Sequence, residues 1–260
     1  MNMTLPIILL ATALGGVLSA LIAGVFLLLP EPQRNRLLPH SVSFATGALL
    51  GTALLALIPH AVAGAGLFNV HSVGAALLAG IALFFVLEKF LLWRHCHTEA
   101  VETAHAHAHH RRESSGWLIL VGDGLHNFID GVLIAAAFLT DLHLGVVTAL
   151  AIMAHEIPQE VGNFAVLLHS GFSRRKALLW NIAASLTAVA GGVVGWFAFR
   201  EAMALLPYAL AVAAASLLYV AVADLIPGLH KRTDLRAGVF QVLWIGVGVG
   251  IVMFAEAQLH

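Results

Sequence analysis

The chain has 260 residues, of which 60% are hydrophobic and only 10% are charged. A soluble domain carries about 25% charged residues, so this composition excludes an ordinary soluble protein and indicates a polytopic membrane protein. The formal net charge of −1 argues against a nucleic-acid partner, and the single cysteine, Cys96, excludes an internal disulfide framework and a thiolate metal cluster. Histidine is unusually common, with 15 residues against 13 lysines and arginines.

Eight apolar stretches are long enough to cross a bilayer, because a spanning helix needs about 20 mostly apolar residues. Residues 1–29 lack a basic leading segment, so we interpret them as a retained span rather than as a cleaved signal peptide. The sequence therefore predicts an all-α, polytopic membrane protein in which residues 1–260 form a single transmembrane domain. The predicted spans are residues 4–29, 41–63, 72–92, 117–139, 144–168, 177–199, 207–229 and 238–258.

Lysine and arginine predict the orientation, since they accumulate on the cytoplasmic side of a membrane protein. The four odd-numbered loops carry 2, 4, 3 and 3 of these residues, and only Arg200 lies on the opposite side. Both termini should therefore lie outside the cytoplasm. A compact chain of this kind, without targeting extensions, is typical of a bacterial inner membrane, which we take as the expected location.

Spans 2 and 7 share a short pattern that indicates an internal repeat. Span 2 ends in ALLGTALLALIPH (48–60), and span 7 contains SLLYVAVADLIPG (216–228). The residues that match 168 positions later are Leu49, Leu50, Ala53, Leu57, Ile58 and Pro59. Only Leu-Ile-Pro is distinctive, because leucine and alanine match by chance in such a chain. By the predicted topology the two spans run in opposite directions, which predicts an inverted repeat of spans 1–3 and 6–8 around spans 4 and 5, as in secondary transporters.

Polar side chains interrupt spans 4 and 5 near their centres, at the same predicted depth. Span 4 contains GDGLHNFIDG (122–131), and span 5 contains HEIPQE (155–160). Residues three and four apart share one helix face, so each span directs its polar groups to one side. Ionisable groups at the bilayer centre cost a few kcal/mol and usually line a bundle interior or an aqueous path. The clustered residues are His126, Asn127 and Asp130 on span 4 and His155, Glu156 and Gln159 on span 5.

Two imidazoles, two carboxylates and two amides at one depth suit a borderline divalent metal, and they are too many to be isolated packing elements. Imidazole favours zinc, copper, iron and nickel, while oxygen ligands extend the range towards manganese. Pro158 frees the carbonyl of Ala154 from its usual partner, and distorted backbone at this depth is tolerated where it lines a cavity. Gly124, Gly131 and Gly162 should let spans 4 and 5 approach each other closely.

The motifs HNFIDG on span 4 and HEIPQEVGNFAVLL on span 5 resemble those of the ZIP family, the zinc- and iron-regulated transporter-like proteins. The resemblance covers nearly the whole chain, including the eight spans, a histidine-rich loop after span 3 and the outward termini. It implies that the six clustered residues are metal ligands between helices 4 and 5. It also implies a transporter domain without a catalytic cofactor, which carries zinc, or iron, manganese or cadmium, into the cytoplasm and frequently forms homodimers.

This chain departs from the best-known form of the second motif at two positions. That form has His where this chain has Gln159 and Asp where it has Asn163. Loss of an imidazole should weaken the preference for zinc. Some relatives add a span-6 carboxylate that completes a second metal position, but residues 177–199 contain no acidic residue. We therefore expect one strong site, with Asn181 as at most a weak contributor.

Further polar residues fall at depths that suit a path across the membrane. His60, near the outer end of span 2, could receive a metal ion, and Asp224, near the cytoplasmic end of span 7, could help to release it. The alternatives are an interfacial cap at His60 and an ion pair between Asp224 and Lys231. Asp123 lies one turn from the span-4 cluster, towards the cytoplasm. Glu160 points away from the shared face of span 5 and should serve structure or proton balance.

The predicted cytoplasmic loop 93–116 is rich in histidine, and such tracts bind metals weakly and flexibly. On the predicted exit side, it would receive or sense the delivered ion; the alternative is a disordered linker. Its candidate residues are His95, His97, His105, His107, His109 and His110.

Two other functions compete with transport. An intramembrane metalloprotease uses H-E-x-x-H on a helix, but here HEIPQ ends in Gln159, so the second zinc-binding imidazole is missing and an enzyme is not expected. A membrane metal sensor without flux is the second alternative, against which polar groups at outer, middle and inner depths favour a path. The sequence contains no phosphate-binding P-loop, which argues against ATP as the energy source.

Overall fold

The computed structural model describes residues 4–100, 108–232 and 234–258, and the described residues are almost entirely helical, with no strand among them. We number the helical segments of these ranges so that they coincide with the predicted spans. They are α1 (Thr4–Phe26), α2 (Glu31–Ala65), α3 (Val70–Ala100), α4 (Ala108–Thr140), α5 (Leu142–His169), α6 (Arg174–Glu201), α7 (Met203–His230) and α8 (Leu235–Ala257).

Seven helices of the described ranges are long and apolar enough to cross a membrane. The outer faces of α1, α3 and α8 expose large apolar side chains such as Leu14, Leu83 and Val242, as expected for a surface in contact with lipid. Helix α5 does not meet the same criterion, because polar residues interrupt its middle. The all-α, membrane-embedded class is confirmed. That α5 also crosses the membrane, as one of eight spans, stays a prediction.

Several helices extend beyond the predicted spans. Helix α2 already begins at Glu31, directly after Pro30, although residues 30–40 were expected in a loop. Helix α3 continues to Ala100 and α4 begins at Ala108, so most of the predicted loop 93–116 is helical, and residues 101–107 lie outside the described ranges. Polar residues end an apolar span but not a helix, because the backbone hydrogen bonds of a helix do not depend on apolar side chains.

Helix α5 lies at the centre of the bundle, where it packs against α1, α2, α4 and α6. Its start is fixed by Asp141, whose Oδ1 accepts hydrogen bonds from the backbone N–H groups of His143 at 2.8 Å and Leu144 at 3.0 Å. The main apolar core joins α2, α5 and α7 through fully buried side chains such as Leu49 and Leu210. The polar residues in the middle of α5 are therefore held inside the protein.

Gly131 of α4 and Gly191 of α6 form close contacts between these two helices. A Cβ atom on Gly131 would overlap the carbonyl oxygen of Ala188, and one on Gly191 would overlap the carbonyl oxygen of Phe128. A Cβ on Gly162 of α5 would meet no described atom within 4 Å. The interpretation that Gly124, Gly131 and Gly162 bring spans 4 and 5 together is therefore wrong, because Gly124 and Gly131 face α6 and Gly162 faces open space.

Substitution of Gly131 by alanine is expected to lower the stability of the protein by about 3 kcal/mol, since the added methyl group forces two backbones apart. Gly162→Ala is the matched control and should leave stability within about 1 kcal/mol of the wild type. The thermal unfolding midpoint of each variant in the same detergent measures the difference. Equal midpoints for Gly131→Ala and Gly162→Ala would contradict the α4–α6 packing.

Helices α2 and α7 share a local distortion. Residues Thr52–Leu57 of α2 and Val220–Leu225 of α7 both form a π-helical turn, and each turn is followed directly by Ile-Pro. Single π-turns are rare and frequently occur at functional sites. The two turns are 168 residues apart, the same offset that relates the matching residues of spans 2 and 7.

Candidate metal centre

Four side chains from α4 and α5 meet at one point. His126, Asp130, His155 and Glu156 each offer one ligand atom, and these four atoms lie within 4.8 Å of one another. The two imidazole Nε2 atoms are 3.2 Å apart. Each Nε2 lies 3.6 Å from Oδ2 of Asp130 and 3.8 Å from Oε1 of Glu156. The i,i+4 spacing of His126 and Asp130 on α4 places both on one face, and the adjacent residues on α5 complete the set.

These separations fit ligands around one small metal ion. Metal–ligand bonds of about 2.0–2.1 Å in a tetrahedral zinc site place neighbouring ligand atoms roughly 3.3–3.5 Å apart. The observed nitrogen–nitrogen and nitrogen–oxygen separations of 3.2–3.8 Å are close to that spacing. Two nitrogen and two carboxylate oxygen ligands are also a set that zinc, iron and manganese accept.

Burial makes the carboxylates of this cluster costly without a cation. The side chains of Asp130 and Glu156 are each 2% exposed, and none of their four oxygen atoms has a hydrogen-bond partner among the described residues. Buried charges in proteins are paired or coordinate metals. A divalent cation would coordinate one oxygen of each carboxylate and offset the charge of both, whereas these oxygens have no hydrogen-bond partner among the described residues.

Asn127 and Gln159, the other two predicted ligands, make contacts with Asp123. The Nδ2 group of Asn127 donates to the backbone carbonyl of Asp123 at 3.1 Å, and Nε2 of Gln159 donates to its Oδ1 at 3.2 Å. Asn127 also borders the same void as Asp130 and Glu156. The structure thus joins four of the six predicted residues in one cluster and places the two amides beside it.

Asp123 is buried and accepts a further hydrogen bond, of 2.6 Å, from Nδ2 of Asn163. Asn163 stands where the best-known form of the motif has Asp, and its contact with Asp123 was not predicted from the sequence. The signal was present, because Asn163 lies at i+4 from Gln159 and therefore on the same face of α5. Two amide donors hold the Asp123 carboxylate against α5.

A cavity of about 330 Å³ opens beside the cluster. His126, which is 21% exposed, lines it together with Asp123 and Gln159. Two further acidic residues, Glu88 of α3 and Asp224 of α7, also line it, and Tyr219 donates a hydrogen bond to Glu88. The positions of Glu88 and Tyr219 in this cavity were not predicted from the sequence, since no spacing rule connects residues so far apart in the chain.

The opposite side of the cluster is nearly closed. The void there measures about 10 Å³ and is lined by Asn127, Asp130 and Glu156 together with apolar residues of α1 and α5. The larger cavity is lined by middle turns of α3 and α4 and by the π-turn region of α7. In this conformation the cluster borders a wide cavity on the side of α3 and α7 and a small void on the side of α1.

The other candidate residues lie away from the four-atom cluster. Glu160 is fully buried and accepts a hydrogen bond of 2.5 Å from the hydroxyl of Ser185 on α6, and its backbone carbonyl accepts one from Asn181 at 3.3 Å. His60 is half-buried, and its Nδ1 lies 2.9 Å from the carbonyl oxygen of Ala56, one turn earlier in α2. In this structure Glu160 and Asn181 join α5 to α6, and His60 contacts its own helix.

The histidine-rich segment is described only in part. His105 and His107 lie outside the described residues. The backbones of His95 and His97 belong to the end of α3, and those of His109 and His110 to the start of α4, but their side chains lie outside what the structure describes. Metal buffering by these residues stays a prediction.

The sequence of this chain is similar to those of known zinc transporters. Residues 94–256, more than half of the chain, match the family described as ZIP zinc transporter. Zinc transporter ZIP5 of Homo sapiens is 33% identical, over 96% of this chain and 60% of that protein. Zinc transporter ZIP4 of Mus musculus is 34% identical over 75% of this chain and 39% of that protein, and zinc transporter ZIP10 of Danio rerio is 37% identical over 54% and 17%.

The matches span between 17% and 60% of the length of these three relatives. They are nevertheless consistent with the motifs on α4 and α5, with the helical bundle and with the buried cluster between the two helices. On these grounds the chain belongs to the ZIP zinc transporter family.

Proposed function

We propose that this chain is a transporter that moves zinc across the membrane into the cytoplasm through the cluster between α4 and α5. The observation that carries the proposal is the meeting of two imidazoles and two unpaired, buried carboxylates inside a membrane bundle. Three named relatives are zinc transporters, which supports zinc as the substrate. Asn127 and Gln159 supply amide groups next to the cluster, and Gln159 in place of an imidazole leaves room for iron, manganese or cadmium.

Helix α5 is proposed to cross the membrane as well, which would raise the number of spans from seven to eight. It has 28 residues, a length of about 42 Å at 1.5 Å per residue, which exceeds a hydrocarbon core of about 30 Å. Four other helices surround it, so its polar residues face protein rather than lipid. Polar residues on the inside of a bundle lower the hydropathy of a helix without preventing it from crossing the membrane.

The inverted repeat of helices 1–3 and 6–8 is supported by the matching π-turns and by a pair of equivalent contacts. A Cβ on Gly80 of α3 would lie 2.6 Å from Cβ of Ala215 on α7, and one on Gly248 of α8 would lie 3.0 Å from the carbonyl carbon of Gly47 on α2. Both glycines and both partners are related by the same offset of 168 residues. The second helix of each proposed repeat thus packs against the third helix of the other.

The opposite direction of α2 and α7 also has support. A Cβ on Gly64, near the end of α2, would lie 3.1 Å from Cγ of Pro207, near the start of α7. Because the end of α2 lies beside the start of α7, the two helices run in opposite directions through the bundle. Inverted repeats of this kind support alternating access around a site near the bilayer midplane.

The proposed orientation places both termini outside the cytoplasm. The side chain of Arg232, before α8, donates a hydrogen bond of 2.8 Å to the backbone carbonyl of Asn35, in the first turns of α2. This contact brings two basic segments to one side of the bundle, which the positive-inside rule assigns to the cytoplasm. The named relatives are animal proteins and give no support to a bacterial membrane.

The cavity of about 330 Å³ would then be the exit towards the cytoplasm. Glu88 lies near the end of the predicted span 72–92 and Asp224 near the end of α7, both towards the side that the orientation places inside. Their charges would attract a cation leaving His126. Asp123 lines the same cavity and lies almost one turn before His126 on α4. The exit-side role predicted for Asp224 and Asp123 therefore remains part of the proposal, and Glu88 is added to it.

Replacement of both exit carboxylates, Glu88→Gln/Asp224→Asn, should lower zinc flux by about tenfold at low zinc concentration, because the local attraction for cations is lost. Zinc affinity of the four-atom cluster should change little. The matched control is Glu31→Gln/Glu201→Gln, which removes two exposed carboxylates elsewhere. Initial rates in liposomes measure the effect, and equal rates for the two double variants would remove these residues from the path.

The proposal is tested by reconstituting the purified chain in liposomes that contain a zinc-sensitive dye. Added zinc should produce a protein-dependent signal. Iron, manganese or cadmium should reduce this signal to the extent that each competes with zinc for the site. Binding of zinc without flux would instead identify a membrane metal sensor. The homodimer implied by the family resemblance is tested separately, from the mass of the purified complex.

A further inference from the structure

A second cavity lies outside the proposed metal path, between the start of α2 and the start of α8. It measures about 850 Å³, and three arginines line it: Arg36 of α2, Arg232 before α8 and Arg236 in the first turn of α8. None of them belongs to the cluster on α4 and α5. Three cations that share one cavity in so apolar a chain require an explanation of their own.

The charge of this cavity is not cancelled by the acidic residue beside it. Asp234 also lines the cavity, but its Oδ1 accepts the hydrogen bond of 2.8 Å from the backbone N–H of Ala237 at the start of α8. Arg232 donates to the carbonyl of Asn35, whereas Arg36 and Arg236 are exposed at the cavity. Three guanidinium groups against one carboxylate favour an anion, and the guanidinium fork matches phosphate geometry.

Apart from the amides Gln33 and Gln241, the other lining residues are apolar or aromatic, which fits a position at the membrane surface. Leu37 is 46% exposed, Phe240 41% and Trp244 39%. The ring of His40 lies between the two aromatic residues, with centroids 5.8 Å from Phe240 and 6.0 Å from Trp244. Tryptophan is enriched where a protein meets the interface between membrane and water. The cavity therefore combines a cationic rim with a wall suited to acyl chains.

We propose that this cavity binds the phosphate of an anionic phospholipid, with Arg36 and Arg236 on the headgroup and the acyl chains along Leu37 and Trp244. Basic pockets between membrane helices bind such headgroups. The cavity is large enough for a headgroup and the first part of its chains. The site is independent of zinc transport; only the assignment to the cytoplasmic leaflet rests on the orientation proposed above.

The test compares lipids on the purified full-length chain. Native mass spectrometry follows binding of phosphatidylglycerol, of phosphatidylcholine with the same chains, and of inorganic phosphate. The variant Arg36→Gln/Arg236→Gln removes two cavity charges and spares Arg232, whose hydrogen bond joins two segments. The matched control, Arg174→Gln/Arg175→Gln, removes two exposed arginines from the start of α6, which are not among the residues that line the cavity.

Phosphatidylglycerol should bind more tightly than phosphatidylcholine, and the cavity variant should weaken its binding by about tenfold or more while the control does not. Equal binding of both lipids, or equal loss in both variants, would overturn the site. Inorganic phosphate that binds as tightly as the lipid would identify a site for a free anion instead. A change in the mass of the oligomer rather than in bound lipid would identify a contact between copies of the chain.

Discussion

Zinc entry into liposomes is expected to fall to the level of protein-free liposomes when His126 and His155 are both replaced by alanine. The two Nε2 atoms lie 3.2 Å apart and are the only imidazole nitrogens of the described four-atom cluster. Without them, two carboxylates remain, which hold a borderline metal less strongly than a mixed set. Loss of a residue that only orients a ligand lowers metal affinity by about 10–100-fold, so loss of two ligands should exceed 100-fold.

The matched control removes two histidines that lie outside the cluster. His169, at the end of α5, and His230, at the end of α7, are both exposed. The variant His169→Ala/His230→Ala should therefore retain the wild-type rate of zinc entry. Zinc entry that persists in His126→Ala/His155→Ala would show that the path does not pass through this cluster, whatever the fold.

The position of the cluster could be predicted from the sequence, because two local rules act together. A spacing of four residues places His126 and Asp130 on one helix face. Both polar clusters lie near the centres of their predicted spans, so this face reaches the same depth as His155 and Glu156. The structure brings these four ligand atoms together, as that argument requires. Periodicity and depth are properties of single helices, so they can be read without knowing how the helices pack.

The partners of the helices could not be predicted in this way. Gly131 signals a close contact, but nothing in its neighbourhood indicates whether the contact is α5 or, as observed, the backbone of Ala188 on α6. The hydrogen bond from Tyr219 to Glu88 likewise joins residues on α7 and α3. Such pairs depend on the arrangement of the whole bundle, and amino-acid spacing carries no information about them.

The ends of the helices were also misjudged for a physical reason. Hydropathy measures where an apolar span ends, whereas the helix continues as long as its backbone can form hydrogen bonds. Glu31 begins α2 well before the apolar stretch, and α3 runs past Lys89 to Ala100. The π-turn Thr52–Leu57 was not predicted either, although the Ile-Pro that follows it was recognised as part of the repeated pattern.

Glu156→Gln is expected to leave the metal-free protein at least as stable as the wild type but to abolish its stabilisation by zinc. The Glu156 side chain is 2% exposed, and neither of its oxygens has a hydrogen-bond partner among the described residues. A neutral side chain of the same shape removes one of two neighbouring buried carboxylates, so the metal-free variant should unfold at the same temperature as the wild type or higher. Zinc should then stabilise the wild type but not the variant.

The size of the zinc response follows from mass action. Zinc at 100 times its Kd should stabilise the wild type by about 2.7 kcal/mol, because it binds only the folded cluster. Glu201→Gln is the control: its side chain is 74% exposed and pairs with Arg200, so the zinc response should remain that of the wild type. Thermal unfolding in detergent, with and without zinc, measures all three proteins.

Two results would contradict this account of Glu156. A full zinc response in Glu156→Gln would mean that the carboxylate is not a ligand, even though Oε1 lies 3.8 Å from both imidazole nitrogens. A large loss of stability without zinc would mean that the carboxylate supports the fold. The expected pattern, a metal-free protein at least as stable that no longer responds to zinc, follows only if the buried charge is maintained for the cation.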